Sequence, residues 1–347
     1  MREPSKLESV RRRPEVERVA VFGATGTIGA YTALHLKNLG YEVIAVGRRK
    51  CDNGFFQEFG IPYYSVDISK ESSFDVLPSQ DLAHIIHCAG SMPGHMEGYY
   101  PRQCVDSIVT GTLNVLDYCV AVKADRIVFT QTHSDSIHLQ GSKEPIPADI
   151  IRGFPPTGDH AVYAICKNAA VDLIEHYYHE FGIKRFVLRL PTIYAYHPDP
   201  YFYVDGRKTK MAYRLLMDQA MRSEPIEIWG DPTREKEIVY VKDLLQIIER
   251  CLDAAVDGGV YNVGRGVGVS LERQIRGIVQ VFSPPDNPSR VTYSPEKPDG
   301  RQFVHDITKT RVELGYTPQY DYQALLLDFK EEMEANPFRR LWGDPLT

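Results

Sequence analysis

A chain of 347 residues with 43% apolar and 25% charged side chains has enough material for two domains, or one large α/β domain with an attached lobe. Its net charge of −6 and isoelectric point near 6.0 argue against a nucleic-acid or membrane-surface partner, and no run of about 18 apolar residues predicts a membrane span. The six cysteines are scattered without CxxC or zinc spacing, so they read as reduced thiols of a cytoplasmic protein with no metal site.

Residues 1–16 are polar, carry "RRR" at 11–13 and lack an apolar signal core, which reads as a flexible tail. "RVAVFG" (18–23) is a short buried strand, and "IGAYTALHLKNLG" (28–40) has helical period and closes on Gly40. "EVIAVG" (42–47), "HIIHCAG" (84–90), "RIVFTQT" (126–132) and "RFVLRLP" (185–191) are further strands. "GTLNVLDYCVAV" (111–122) and "VYAICKNAAVDLIEHYYHEFG" (162–182) are helices between them. This βαβ alternation predicts an α/β fold of Rossmann type, a doubly wound parallel sheet with helices on both faces. Residues 17–190 form that domain, with 235–265 expected to pack back on it, and 191–347 form a smaller C-terminal α/β lobe. The stretch 192–210, rich in aromatics, Pro and Gly, reads as irregular and ligand-facing. Helices are expected over 211–223, after 240, over 270–282 and from about Asp321.

Three features carry chemistry. "GATGTIG" places Gly23, Gly26 and Gly29 between the first strand and the first helix. Backbone amides and the helix dipole there can receive a pyrophosphate. The second strand ends "VGRRK", with no carboxylate for a ribose 2′-hydroxyl. Arg48 and Arg49 instead suit a 2′-phosphate, which favours NADP over NAD. "VDIS" offers Asp67 and Ile68 at another strand end, where an adenine could be met.

The third feature is "YAICK", in which Tyr163 stands one helical turn before Lys167, beyond a strand ending in Thr130 and Thr132. A free tyrosine, with a pKa of about 10, is a poor base at neutral pH. A neighbouring ammonium favours the phenolate, which can then take a proton from a substrate hydroxyl as hydride leaves the same carbon.

Together with "HCAG", "GTLNVLDYC", "LRLPTIY", "REKEIVYVKDL" and "DITKTRVELGYTP", in that order over residues 17 to 330, these motifs resemble the extended short-chain dehydrogenase/reductases of the sugar-nucleotide epimerase/dehydratase type. The resemblance implies a catalytic trio of Thr132, Tyr163 and Lys167. It implies cofactor contacts at Gly23, Gly26, Thr27, Ile28, Gly29, Arg48, Arg49, Asp67, Ile68, Ala89, Tyr163, Lys167 and Pro191. It implies a nucleotide-sugar substrate and a homodimer through the Tyr–Lys helix. It also marks departures. His133 and Ser134 stand where dehydratases of this kind carry Asp-Glu, although Asp135 lies nearby. Thr192 replaces the usual substrate-facing Asn. Lys236 occupies the place of a phosphate-binding Arg, with Arg234 two residues earlier, and "KPDGR" (297–301) offers Lys297 or Arg301 as a diphosphate ligand. His133, Thr192, Arg234, Lys236 and Arg301 are thus the expected substrate residues. The expected activity is nucleotide-sugar epimerisation or 4-keto-sugar reduction. Reduction of a non-nucleotide carbonyl compound, and non-catalytic NADP binding by a regulator, are the competing readings.

Overall fold

The computed structural model describes residues 17–204 and 206–346. The expected N-terminal tail lies outside them. Seven parallel strands form the central sheet: β1 (Arg18–Phe22), β2 (Glu42–Gly47), β3 (Tyr63–Ser65), β4 (His84–His87), β5 (Arg126–Thr132), β6 (Lys184–Leu190) and β7 (Gly258–Asn262), in the spatial order 3-2-1-4-5-6-7. Register is regular: Val21 lies opposite Ala45 on one side and Ile86 on the other, and Thr132 lies opposite Leu190. All seven residues of β5 are buried, as a parallel strand covered on both faces requires.

Alternation along each strand divides the core into two layers. Val19, Val21, Ala45, Ile86 and Val128 face the layer that holds α1 (Thr27–Asn38). Ala20, Phe22, Ile44, Ile85, Ile127 and Phe129 face the layer that holds α2 (Gly111–Ala121) and α3 (Asp159–Phe181). Further helices follow at α4 (Ala212–Met221), α5 (Val241–Asp253), α6 (Leu271–Phe282) and α7 (Tyr322–Ala335). α5 returns to pack on α1, and α6 packs between α4 and α7. No helix of the described residues is long and apolar enough to cross a membrane.

Two elements differ from the sequence reading. β7 opens on Gly258 and Gly259, which carry no strand signal, yet it pairs with β6 along its full length. Residues 192–210 are not irregular throughout, because Tyr201–Val204 and Arg207–Lys210 form an antiparallel hairpin.

The sheet's far end is fixed by a buried ion pair. Arg189 on β6 donates from Nε to Asp135 at 2.9 and 3.1 Å, and from Nη1 to Ala148 O and to Asn262 Oδ1 on β7, each at 2.9 Å. Both charges are almost completely buried. Asp135→Asn leaves the guanidinium without its counter-charge and should destabilise the chain by about 3–5 kcal/mol in a urea titration, with the conservative isostere excluding a packing effect.

Candidate active site

The β1–α1 turn folds as its glycines dictate. Gly23 has φ +87°, and a Cβ on it would lie 2.8 Å from Ala89 N at the end of β4. A Cβ on Gly29 would lie 2.2 Å from Gly23 O. The turn is pinned to β2 by Gly23 N–H and Ala24 N–H, which donate to Val46 O at 2.9 and 3.0 Å. α1 begins after Gly26 with no side-chain cap, so the first-turn amides around Thr27 and Ile28 are available as donors. A close-fitting loop with uncapped amides fits the pyrophosphate of a dinucleotide.

The adenosine end departs from expectation. Arg48 is exposed at the end of β2, but Arg49 Nη1 donates to Leu341 O at 2.9 Å and Arg49 O accepts from the Tyr63 hydroxyl at 2.6 Å. The two guanidinium groups therefore do not form a free pair, and the arrangement gives no support to an NADP preference. Asp67 is opposed by burial, but bonds from Ser69 and the charges of Lys70 and Arg48 hold it below the usual carboxylate range. Ile68 is buried against Gly111, so its side chain packs inside the fold.

At the end of β5 the expected trio is brought together only in part. Lys167 is buried; its Nζ donates to Thr130 O at 2.6 Å and lies 4.4 Å from the Phe129 ring centroid and 5.9 Å from that of Tyr163. Burial lowers the ammonium pKa to about 8. Burial likewise pushes the Tyr163 phenol well above its ordinary value, with Cys104 adding to the rise. Thr132 does not bond Tyr163. Its hydroxyl donates to Ser134 Oγ at 3.0 Å and accepts from Ser134 N–H at 3.1 Å, capping the turn His133–Leu139.

The expected substrate residues fall into three groups. His133 lies 5.2 Å from the Phe303 ring and 6.2 Å from the His305 ring. Burial, then the nearby His305 and Arg301, lower its pKa to about 3. Lys236 has its pKa lowered by burial and by the neighbouring Arg301, so two cations share this region. Arg234 is set apart by its ion pair with Asp299 at 2.9 Å. Thr192 is exposed beyond buried Pro191 at the end of β6. Asp135, engaged by Arg189, is not free for elimination chemistry.

Sequence reasoning missed two polar groups. Glu237 Oε2 accepts from His305 Nδ1 at 2.7 Å and from His305 N–H at 3.0 Å, while its Oε1 accepts from Arg265 and Gly266 N–H. Glu237 lies inside the quoted "REKEIVY", but nothing in that string marks it as a buried knot. His87 stands under the Lys167 site with Nε2 at 3.0 Å from Thr112 Oγ1, and burial and Lys167 push its pKa down to about 3.

Two outcomes follow from this geometry. Gly29→Ala forces the turn open and should cost at least about 1–3 kcal/mol in chemical denaturation, with loss of dinucleotide binding measured by calorimetry. Folded His87 resists protonation down to about pH 3, whereas an unfolded histidine gains its proton near 6.5. Stability should therefore fall as pH drops through that window, and His87→Gln should flatten the dependence of the urea midpoint between about pH 7 and 5.

The model of the NAD dependent epimerase/dehydratase family matches residues 19–264. A UDP-glucose 4-epimerase of Rhizobium meliloti is 24% identical over 319 residues, covering 88% of this chain and 94% of its own. The solved structure of a UDP-glucose 4-epimerase from Thermotoga maritima with UDP-glucose superposes with a TM-score of 0.72 at 20% identity, covering 92% and 99% of the two chains. That of a UDP-glucuronic acid 4-epimerase from Bacillus cereus with NAD gives 0.68 at 21% identity, covering 91% and 99%. With its glycine turn, buried lysine and seven-stranded sheet inside the matched span, the chain belongs to the NAD dependent epimerase/dehydratase family.

Proposed function

We propose that this chain epimerises a nucleotide-linked sugar, a UDP-sugar, by hydride transfer at one sugar carbon with Tyr163 as the acid/base. The observation that carries the reading is Lys167, held by Thr130 O at the end of β5 with its ammonium beside the Tyr163 ring. A bound nicotinamide supplies the hydride acceptor and donor. The glycine turn and first turn of α1 would hold its pyrophosphate, and Lys167 its ribose. We assign NAD rather than NADP, because Arg49 is committed to Leu341 O and the solved neighbour from Bacillus cereus carries NAD.

Tyr163 is a neutral phenol until charge compensates it, and the Lys167 ammonium, mostly protonated below pH 8, lowers the cost of the phenolate. The phenolate takes the proton of a sugar hydroxyl, and the phenol returns it to the carbonyl oxygen. Thr132 orients that oxygen once its hydroxyl leaves Ser134. Lys236 and Arg301, two cations in one region, take the substrate's diphosphate. In this assignment residues 17–190 hold the cofactor and 191–347 the sugar nucleotide, except where α5 and β7 return to the first domain. Exposed Leu113 on α2 and Ile165 on α3 suit a homodimer through these helices, and six free cysteines suit the cytoplasm.

Tyr163→Phe should reduce kcat by about a hundred- to ten-thousand-fold while leaving dinucleotide binding intact. Full turnover in that variant would remove the assignment. Nucleotide released by denaturing fresh protein, identified by mass, separates the alternatives. Stoichiometric NAD supports epimerisation with internal hydride return, and an empty site that accepts added reduced cofactor supports a reductase.

A further inference from the structure

Residues 338–342, which follow α7, form a strap that ties together three parts of the cofactor corner. Phe338 and Leu341 are 2% and 1% exposed, and the Phe338 ring lies 4.5 Å from Tyr31 on α1 and 5.6 Å from Phe55, so the strap is built into the core. On one side it binds the loop after β2. Arg49 Nη1 donates to Leu341 O, Asn53 Nδ2 donates to Arg340 O at 3.2 Å, Arg340 Nε donates to Asn53 O at 2.6 Å, and Arg340 pairs with Glu58. At its centre Trp342 Nε1 donates to Thr25 O at 3.0 Å, inside the glycine turn. On the other side the Trp342 ring lies 4.5 Å from His197, and Leu346 N–H donates to Pro198 O at 3.1 Å.

We propose that this strap determines cofactor specificity, withholding Arg49 from the adenosine ribose so that the site prefers the unphosphorylated dinucleotide. The inference rests on the reading that the site holds a nicotinamide dinucleotide. In sheets of this kind the adenosine ribose lies at the end of β2, where Arg48 and Arg49 stand. Tight recognition of a 2′-phosphate wants a guanidinium fork free to face it. Arg49 has one arm on the strap and its own carbonyl under the Tyr63 hydroxyl, so both its side chain and its backbone are fixed. Arg48 alone remains, in the field of Asp67, a carboxylate that opposes a second anion. The same contacts hold the glycine turn through Thr25 O, so the strap also slows exchange of whatever the turn binds.

The test unties the strap at exposed positions outside the core. In the full-length chain, Arg340→Ala with Asn53→Ala removes the three contacts of Arg340 with Asn53 and Glu58, so that the bond from Arg49 to Leu341 O is left as the last tie to the loop after β2 with nothing holding it in register, while Phe338 and Leu341 stay in place. Dissociation constants for NADH and NADPH are measured by fluorescence on nucleotide-stripped protein, with release rates by displacement and a thermal melt to show that the variant is folded. Untying should improve NADPH binding relative to NADH by about tenfold, the scale of one charge-assisted hydrogen bond, and hasten NADH release several-fold. Adding Arg49→Ala to the untied chain should cancel the gain in NADPH binding; in the parent the same substitution should leave the ratio unchanged. An unchanged ratio in the folded, untied chain overturns the proposal, as does a parent whose ratio already depends on Arg49. Failure of the parent to bind either dinucleotide overturns the underlying reading instead.

Discussion

A parallel sheet covered on both faces leaves its strand ends for polar chemistry, and the glycine turn and the Tyr163–Lys167 pair follow from that constraint. The strand interiors are sealed by two apolar layers, so unpaired backbone groups and polar side chains collect at the strands' C-terminal ends. The glycine turn after β1, the arginines after β2, Ala89 after β4, and Thr130 and Thr132 on β5 all stand along that edge. Lys167 is a cation driven beneath it, and its Nζ donates to Thr130 O there. Its lowered pKa and the raised pKa of Tyr163 share one cause, burial, which disfavours the charged form of each. The pair is therefore poised so that a charge on either one stabilises the opposite charge on the other.

The remaining buried charges separate into those that build and those that wait. Arg189 is paired with Asp135 within the fold, and Glu237 accepts from His305 and from the amides after β7, so these contacts tie β6 and β7 to the turns beyond them. Lys236 is instead disfavoured as a cation, by burial and then by the charge of exposed Arg301, and in the proposed reading this pair receives the substrate's anion.

The sequence made the sheet, the glycine turn and the Tyr–Lys helix readable because each is a local pattern: an apolar run, a glycine spacing, a helical turn. The boundaries of β2 and β5 coincide with their apolar strings, and α3 begins three residues before the Val162 of its reading and ends one residue before Gly182. What stayed hidden depends on distant partners. β7 is a strand because β6 offers an open edge, despite its two leading glycines. Arg49 looks like a phosphate ligand beside Arg48, and only the carbonyl of Leu341, 292 residues away, shows that it is engaged. Asp135 looks available for catalysis until Arg189, 54 residues later, takes both its oxygens. Thr132 has the right position on β5, yet its hydroxyl is drawn into the cap of its own following turn, a local competition that strand periodicity does not register.

The strap also sets an order for assembly. Trp342 meets Thr25 across 317 residues of sequence, and Asn53 meets Arg340 across 287. Tyr31 and Phe55, though they belong to the first βαβ units, complete their packing only against Phe338. Contacts of such sequence separation carry a large loop-closure cost and form late. During synthesis the corner around the glycine turn thus emerges well before the strap that completes it, and its apolar flank stays uncovered until residues 338–342 have left the exit tunnel.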